Sequence, residues 1–140
     1  MKRKVFACIT RERAGHTEVL TFTHRDSPEA GVQVPGGTVG PDEEPEAALW
    51  REVSEETGLR PNQLQLVGLV AIQPHPEWGT LEHLYHLTAA EGLPDDWTHV
   101  VHGHGEDTGM VFEYRWLTLE TPLTEWRSRV PPWLFTEEGT

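Results

Sequence analysis

Cysteine and long hydrophobic runs are scarce in this 140-residue chain. Its single cysteine, Cys8, excludes an intrachain disulfide and any zinc site built from several thiolates, and it fits the reducing cytoplasm. The apolar run from Val5 to Ile9 stops before Arg11, which makes it too short for a signal-peptide core or a transmembrane span. We therefore expect a cytoplasmic protein with no targeting segment and no membrane partner.

Positive charge is also scarce, since 11 Lys and Arg residues stand against 23 Asp and Glu residues. The formal net charge of -12 at pH 7 repels the backbone of duplex nucleic acid and the surface of anionic membranes, and so disfavours both as partners. An anionic small-molecule substrate would meet the same repulsion. A phosphate compound would therefore need metal cations to bridge it to an acidic site.

The length and composition fit one globular domain spanning residues 1–140. Hydrophobic residues make up 36% and charged residues 24% of the chain, and the 6 Trp and 4 Phe can build an aromatic-rich core. A chain of 140 residues leaves no room for a second core of similar size. We expect the domain to fold alone.

The sequence pattern predicts five strands and two helices. Glycine and proline crowd residues 28–40, which favours a functional loop with only a short extended piece at 32–34. The connection over 91–109 is long and polar, as functional loops often are. Strands are predicted at 5–9, 18–24, 64–72, 81–87 and 111–117, and helices at 44–57 and 123–130.

Three glutamates of the first helix carry the chemistry. Glu52, Glu55 and Glu56 are spaced three and four residues apart, so their carboxylates project from one helix face. Like charges at this spacing destabilise a helix by roughly 0.2–0.5 kcal/mol per pair, and Arg51 offsets only one of them. The face is therefore either solvated or neutralised by a cation. Oxygen ligands favour Mg²⁺ or Mn²⁺ over Zn²⁺.

The wider sequence around these glutamates decides between the two interpretations. Residues Gly37 to Leu59 read GTVGPDEEPEAALWREVSEETGL and match G-x5-E-x7-R-E-U-x-E-E-x-G-U at all nine specified positions, where U is a bulky aliphatic residue. A chance match is on the order of 10⁻¹⁰ per window. Over residues 37–59 the chain resembles the Nudix box of the MutT-like Nudix hydrolases.

The resemblance implies an α/β fold, the Nudix α/β/α sandwich with a mixed central sheet. It implies Mg²⁺-dependent hydrolysis of a nucleoside diphosphate linked to another moiety, with Mn²⁺ as a substitute, and it is compatible with a homodimer. Carried over by position, the resemblance implies that Arg51 holds a glutamate in place, with Glu43 as its structural partner. The implied metal ligands are the carbonyl of Gly36 and the carboxylates of Glu52, Glu55 and Glu56.

The general base and the substrate contacts are less constrained by sequence. In the family the base comes from the box or from a distant loop; Glu106, ahead of Asp107, is the best distant candidate, and an exposed turn is the alternative. His24 and Arg25 are candidates for phosphate contacts or a surface pair. Trp78 is a candidate for stacking on a base or sugar.

Two further questions stay open at the level of sequence. Pro74 lies 15 residues after the box, near where ADP-ribose-hydrolysing relatives carry a proline, which favours a dinucleotide or sugar nucleotide over a nucleoside triphosphate. A non-catalytic Nudix-fold sensor is the main alternative, although such proteins often lose box acids and this chain keeps them all. The histidines at 99, 102 and 104 are candidates for a second metal site.

Overall fold

A computed structural model of the chain describes residues 2–75, 77–103 and 107–118. The helix predicted at 123–130 and the base candidate Glu106 lie outside these residues. Within the described part of the chain, no helix is both long and apolar enough to cross a membrane.

Seven strands and one α-helix make up the described fold. The predicted strands are found with longer bounds, because pairing with neighbouring strands extends them beyond their apolar centres. In chain order the elements are β1 (Arg3–Arg13), β2 (His16–His24), β3 (Gly36–Thr38), α1 (Pro45–Thr57), β4 (Leu64–Pro74), β5 (Leu81–Ala89), β6 (Asp96–Val100) and β7 (Val111–Thr118), with short 3₁₀ turns at Pro28–Ala30 and Pro61–Gln63.

All seven strands belong to one sheet in the order β4-β5-β1-β2-β7-β6, with β3 paired to β1. The pair β1 and β5 is parallel, and the other pairs are antiparallel, so the mixed sheet that the sequence predicts is confirmed. β1 lies at the centre: β5 runs along one edge from Arg3 to Thr10, while β3 and β2 share the other edge. This arrangement brings the glycine-rich segment at β3 beside the start of β1.

The helix α1 packs across one face of the sheet. It begins with Pro45, whose fixed φ suits a first helical turn, and it ends at Gly58, which adopts the left-handed conformation at φ 78°. Ala48, Leu49 and Val53 are buried on its inner side. They pack against the main core, an aliphatic and aromatic cluster drawn mainly from β1, β2, β5 and β7.

A smaller cluster lies apart from the main core and includes Cys8, Val19, Val32 and Val34. The single cysteine is buried there, and burial raises the pKa of its thiol to about 12, which leaves it protonated and unreactive at neutral pH. Within the described residues the fold is α/β, a mixed sheet with α1 packed on one face, which is consistent with an α/β sandwich.

The structure corrects two sequence predictions. Residues 96–100, predicted as part of a long polar loop, form the edge strand β6, because they pair with β7 from Asp96 to Val100. Gly36–Thr38, predicted as irregular loop, forms the short strand β3. Only glycine fits at Gly36, since a Cβ there would lie 2.4 Å from the Phe6 ring and from the Val5 carbonyl oxygen.

Candidate active site

The glutamates of α1 lie near β3, which pairs with the start of β1: Glu56 accepts from the Gly36 amide, and Glu52 lies against Gly37. Glu56 is almost completely buried, with 4% of its surface exposed, and the Glu52 and Glu55 side chains are 14% and 20% exposed. The alternative that these three carboxylates form a solvent-exposed acidic helix face does not agree with this burial. Their charges must be balanced by groups that lie close to them.

Arg51 supplies one such charge. Its Nε and Nη2 atoms donate to both carboxylate oxygens of Glu43, each at 2.8 Å, and its Nη1 atom donates to Glu52 at 2.7 Å and Glu55 at 3.0 Å. Nη2 also donates to the Thr38 carbonyl oxygen at 3.0 Å. A bidentate pair of this kind fixes the guanidinium in orientation as well as in position. Arg51 thus links β3 to Glu52 and Glu55.

Glu56 is held differently. The amide of Gly36 donates to its Oε1 atom at 3.0 Å, and no cationic side chain of the described residues bonds to it. Burial raises the pKa of Glu56 well above its ordinary value, and the negative charges of Glu52 and Asp107 raise it further. A buried carboxylate in this position is either protonated or balanced by a cation that the protein does not itself provide.

Two glycines allow the backbone to approach the carboxylates. A Cβ on Gly37 would lie 2.1 Å from the Cδ atom of Glu52, and a Cβ on Gly103 would lie 2.1 Å from an Oε atom of Glu55. Gly37 belongs to the predicted box, whereas Gly103 lies in the connection between β6 and β7. Both segments therefore approach the glutamates closely.

The connection between β6 and β7 also brings Asp107 to the site. Its charge acts on both Glu52 and Glu56, and it lines the space in front of them. The prediction singled out Glu106, ahead of Asp107, and Glu106 lies outside the described residues. The sequence indicated an acid in this connection, but it could not show which of the two neighbours, Glu106 or Asp107, reaches the site.

Two cavities meet at the glutamates. They share Lys4, Gly37, Glu56 and Asp107 as lining residues. The first, the aromatic cavity, has a volume of about 540 Å³ and is lined besides these by Phe6, Phe22, Gln33, His75 and Trp78, among others. The second, the polar cavity, has a volume of about 570 Å³ and includes Lys2, Arg51, Glu52, Glu55, His102 and Thr108.

Trp78 lies in the aromatic cavity as part of a layered group. Its ring stacks on His75 with 4.1 Å between centroids, and the Lys4 ammonium lies 5.8 Å from the Trp78 ring centroid. The backbone amides of Glu77 and Trp78 donate to Nδ1 of His75, which fixes that ring against the loop. The sequence pointed to Trp78, but the contributions of Lys4 and His75 depend on the tertiary fold.

The other predicted substrate contacts lie elsewhere. The His24 ring packs against Phe112 with 4.5 Å between centroids, and Arg25 pairs with Glu113 at 3.6 Å. Neither His24 nor Arg25 lines either of the two cavities. A third cavity, of about 610 Å³, is lined by Arg11, Arg13 and His86 near the other ends of β1 and β5, far from the glutamates.

The donor set fits a divalent metal ion. It consists of carboxylate oxygens at a buried position, with the charge of Glu56 left to balance. Within residues 2–75, 77–103 and 107–118, no three His, Cys, Asp or Glu side chains converge as a preformed metal cage. Arg51 pairs with Glu52 and Glu55. His99 and His102 contact each other, but His99 Nε2 is directed to the Glu55 carbonyl oxygen at 3.0 Å.

Comparison with known proteins identifies the family. The NUDIX domain matches residues 1–135. The chain belongs to the Nudix family. Human diphosphoinositol polyphosphate phosphohydrolase 3-alpha is 36% identical over 96 residues, which cover 69% of this chain and 55% of the relative. Rat diphosphoinositol polyphosphate phosphohydrolase 2 is 35% identical over 95 residues, 68% of this chain and 50% of the relative.

This Nudix chain spans about half the length of these curated relatives. Among solved structures, the C. elegans Ap4A hydrolase binary complex superposes with a TM-score of 0.66 at 20% identity, covering 88% of this chain and 85% of that one. The M. smegmatis Nudix hydrolase RenU gives 0.59 at 20% identity, covering 84% and 71%. At this identity the likeness establishes the fold alone.

Glu43 should make the stability of this Nudix domain depend on pH. Hydrogen bonds from Arg51, then from the Gly40 amide, lower the pKa of Glu43 from 4.5 to about 2. Because the folded pKa is depressed, the stabilisation is present above pH 4.5 and is lost as the pH falls towards 2. Glu43→Gln should lower the free energy of unfolding by up to about 1 kcal/mol at neutral pH, since solvent screens this partly exposed pair.

Urea unfolding over this pH range measures the effect. The difference between wild type and Glu43→Gln should shrink as the solution is acidified. Asp42→Asn removes an exposed neighbouring carboxylate and is the matched control, expected to change stability little at any pH. A Glu43→Gln deficit that stayed constant from neutral pH to acid would contradict this account.

Proposed function

We propose that this chain is a divalent-metal-dependent pyrophosphohydrolase that cleaves a phosphoanhydride with a substituent on each side. The observation that carries the proposal is the meeting of the two cavities at Lys4, Gly37, Glu56 and Asp107. A substrate can then extend in both directions from its bridging phosphates. The Nudix family membership supports the same reaction type.

The proposed metal is Mg²⁺, with Mn²⁺ as a substitute. Glu52, Glu55 and Glu56 would hold it, with the carbonyl of Gly36 as a further ligand, because hard cations prefer oxygen donors. When bound, the metal would neutralise the diphosphate and acidify the attacking water. Arg51 would keep the Glu52 and Glu55 carboxylates in position through the ion pairs described above.

The remaining chemistry falls to residues of the chain itself. Lys4 lies where both cavities meet and would contact the phosphates between them. A carboxylate of the connection between β6 and β7 would take the proton of the attacking water, and Asp107 and Glu106 are the two candidates. Asp107 has the support of its position beside Glu52 and Glu56.

The substrate that we propose is a dinucleotide or a sugar nucleotide. The stacked pair Trp78 and His75 offers an aromatic surface to a base or sugar on one side of the cleaved bond. A nucleoside triphosphate would leave the other cavity without a substituent to bind. A non-catalytic nucleotide sensor is disfavoured, because the chain keeps every acid of the box.

The curated relatives give a second candidate, a diphosphoinositol polyphosphate. Such a substrate carries many phosphates and needs many cations around it. Within the described residues, the Lys and Arg side chains that line the two cavities are Lys2, Lys4 and Arg51, and Arg51 is already bound to three carboxylates. The net charge of -12 adds a general repulsion, so we place this candidate second.

Replacing Glu56 by Gln tests the metal site. Removing a ligand should cost at least as much metal affinity as removing a group that orients one, about 10–100-fold, with a parallel loss of turnover. Without metal, the fold should remain intact and become slightly more stable at neutral pH, because a neutral amide needs neither the proton nor the counter-charge that the buried carboxylate requires. Isothermal titration with Mn²⁺ and thermal unfolding measure the two effects. The control is Glu46→Gln, at an exposed position in the first turn of α1, which should bind Mn²⁺ like the wild type. Unchanged Mn²⁺ affinity in Glu56→Gln would refute the metal assignment.

The general base can be identified by two neighbouring substitutions. If Asp107 takes the proton, Asp107→Asn should lower kcat by roughly 10²–10⁴-fold with little change in KM, while Glu106→Gln retains most of its activity. Steady-state kinetics with saturating Mg²⁺ would distinguish the two residues. The reverse pattern would assign the base to Glu106, and near-normal kcat in both variants would return it to the glutamates of the box.

A substrate panel tests the proposed class. ADP-ribose, NADH, diadenosine polyphosphates, nucleoside triphosphates, a diphosphoinositol polyphosphate and simple phosphate monoesters would be assayed with Mg²⁺ and with Mn²⁺. We expect the highest kcat/KM for a compound with substituents on both sides of the diphosphate. Dominant turnover of the inositol compound would favour the second candidate, and turnover of monoesters alone would refute the mechanism.

A further inference from the structure

The C-terminal end of α1 is hydrogen-bonded to β6, to β7 and to the connection between them. The last four carbonyl groups of a helix have no partner within it. Here the Ser54 oxygen accepts from the Gly58 amide, and the next three carbonyls accept from residues at least 40 positions further along the chain. These donors are Trp97 Nε1 to Thr57 at 3.0 Å, His99 Nε2 to Glu55 at 3.0 Å, the His102 amide to Glu55 at 3.1 Å, and the Tyr114 hydroxyl to Glu56 at 2.8 Å.

Two of these acceptors belong to the proposed metal ligands. The carbonyls of Glu55 and Glu56 are fixed from outside the helix, and a fixed carbonyl sets the backbone orientation from which the carboxylate extends. Tyr114 is fully enclosed, with 2% of its surface exposed, and its ring stacks on Trp97 with 5.0 Å between centroids. Its hydroxyl therefore has a defined position and no access to water as an alternative partner.

We infer that Tyr114 and His99 are positioning residues, which act through the Glu56 and Glu55 carbonyl groups to orient the carboxylates that bind the metal. The inference rests on the function proposed above. Neither side chain lines the two cavities, so both act on the reaction through the helix and touch no substrate. Their donors come from adjacent strands of one sheet, which keeps the two carbonyls at a constant spacing.

The Tyr114 hydroxyl donates to the Glu56 carbonyl oxygen from a buried position, so the contact is shielded from solvent. Orienting groups behind metal ligands typically contribute 10–100-fold to metal affinity or activity.

Tyr114→Phe removes the hydroxyl and keeps the ring. We expect the dissociation constant for Mn²⁺ to rise about tenfold and kcat to fall by a similar factor, with KM for the substrate unchanged. Electron paramagnetic resonance of free Mn²⁺ measures the binding without any turnover. A role in stability alone would lower the melting temperature and leave the Mn²⁺ affinity unchanged.

Trp116→Phe is the matched control. Trp116 lies two residues further along β7 and donates through Nε1 to the Pro94 carbonyl oxygen at 3.0 Å, which lies outside α1. This variant loses a comparable hydrogen bond and should lose stability, yet retain wild-type Mn²⁺ affinity. Equal Mn²⁺ affinity in the two variants would overturn the inference.

His99 provides an independent pair of variants in case Tyr114→Phe does not fold. His99→Gln retains a side-chain N–H donor and should retain most of the Mn²⁺ affinity, whereas His99→Leu should weaken it about tenfold. Equal affinity in the two His99 variants would contradict the positioning role. If the wild-type protein binds no Mn²⁺, the failure belongs to the proposed function itself.

Discussion

The Arg51 guanidinium binds three carboxylates and one backbone carbonyl, and the arrangement of the site depends on this one charge. Acids three and four residues apart on a helix repel one another. Arg51 offsets that repulsion at Glu52 and Glu55 and ties both to Glu43 on the segment before α1. No cationic side chain of the described residues does the same for Glu56. An added cation would therefore find its largest unbalanced negative charge at Glu56.

The acidity of the whole chain bears on the same point. With a net charge of -12, an anionic substrate is repelled at long range, and only local positive charge can hold it. Lys2, just before β1, and Lys4, near its start, line the polar cavity together with the glutamates. Lys4 also lines the aromatic cavity. Two lysines cannot compensate for the carboxylates of the site, which is why the function proposed above includes a metal ion.

The sequence allowed some parts of the site to be predicted because they depend on local spacing. Glu52, Glu55 and Glu56 lie on one face of any helix that contains them, and Glu43 was correctly expected as the partner of Arg51. The strands with strong apolar alternation were also predicted. The short strand β6 was not, because only Trp97 and His99 turn inwards and both have polar atoms.

Residues outside the motif escaped prediction for a related reason. Gly103 and Asp107 reach the glutamates only because β6 and β7 pair and direct their connection towards α1, and this depends on tertiary structure. The roles of Lys4 and His75 likewise require the fold. Glu106 lies outside the described residues, so its assignment as base stays a prediction, and Asp107 is the neighbouring acid whose charge acts on Glu52 and Glu56.

The motif alone also does not explain why its helix is stable. Isolated helices shorter than about 12–15 residues are marginal in water, and α1 has 13 residues with three acids on one face. Its stability must come from the buried side of the helix and from its ends. Ala48, Leu49 and Val53 pack on the sheet, and β6 and β7 supply hydrogen-bond donors to its last carbonyls. The chemistry of the site therefore comes from one continuous segment, whereas its geometry depends on strands that follow about 40 residues later.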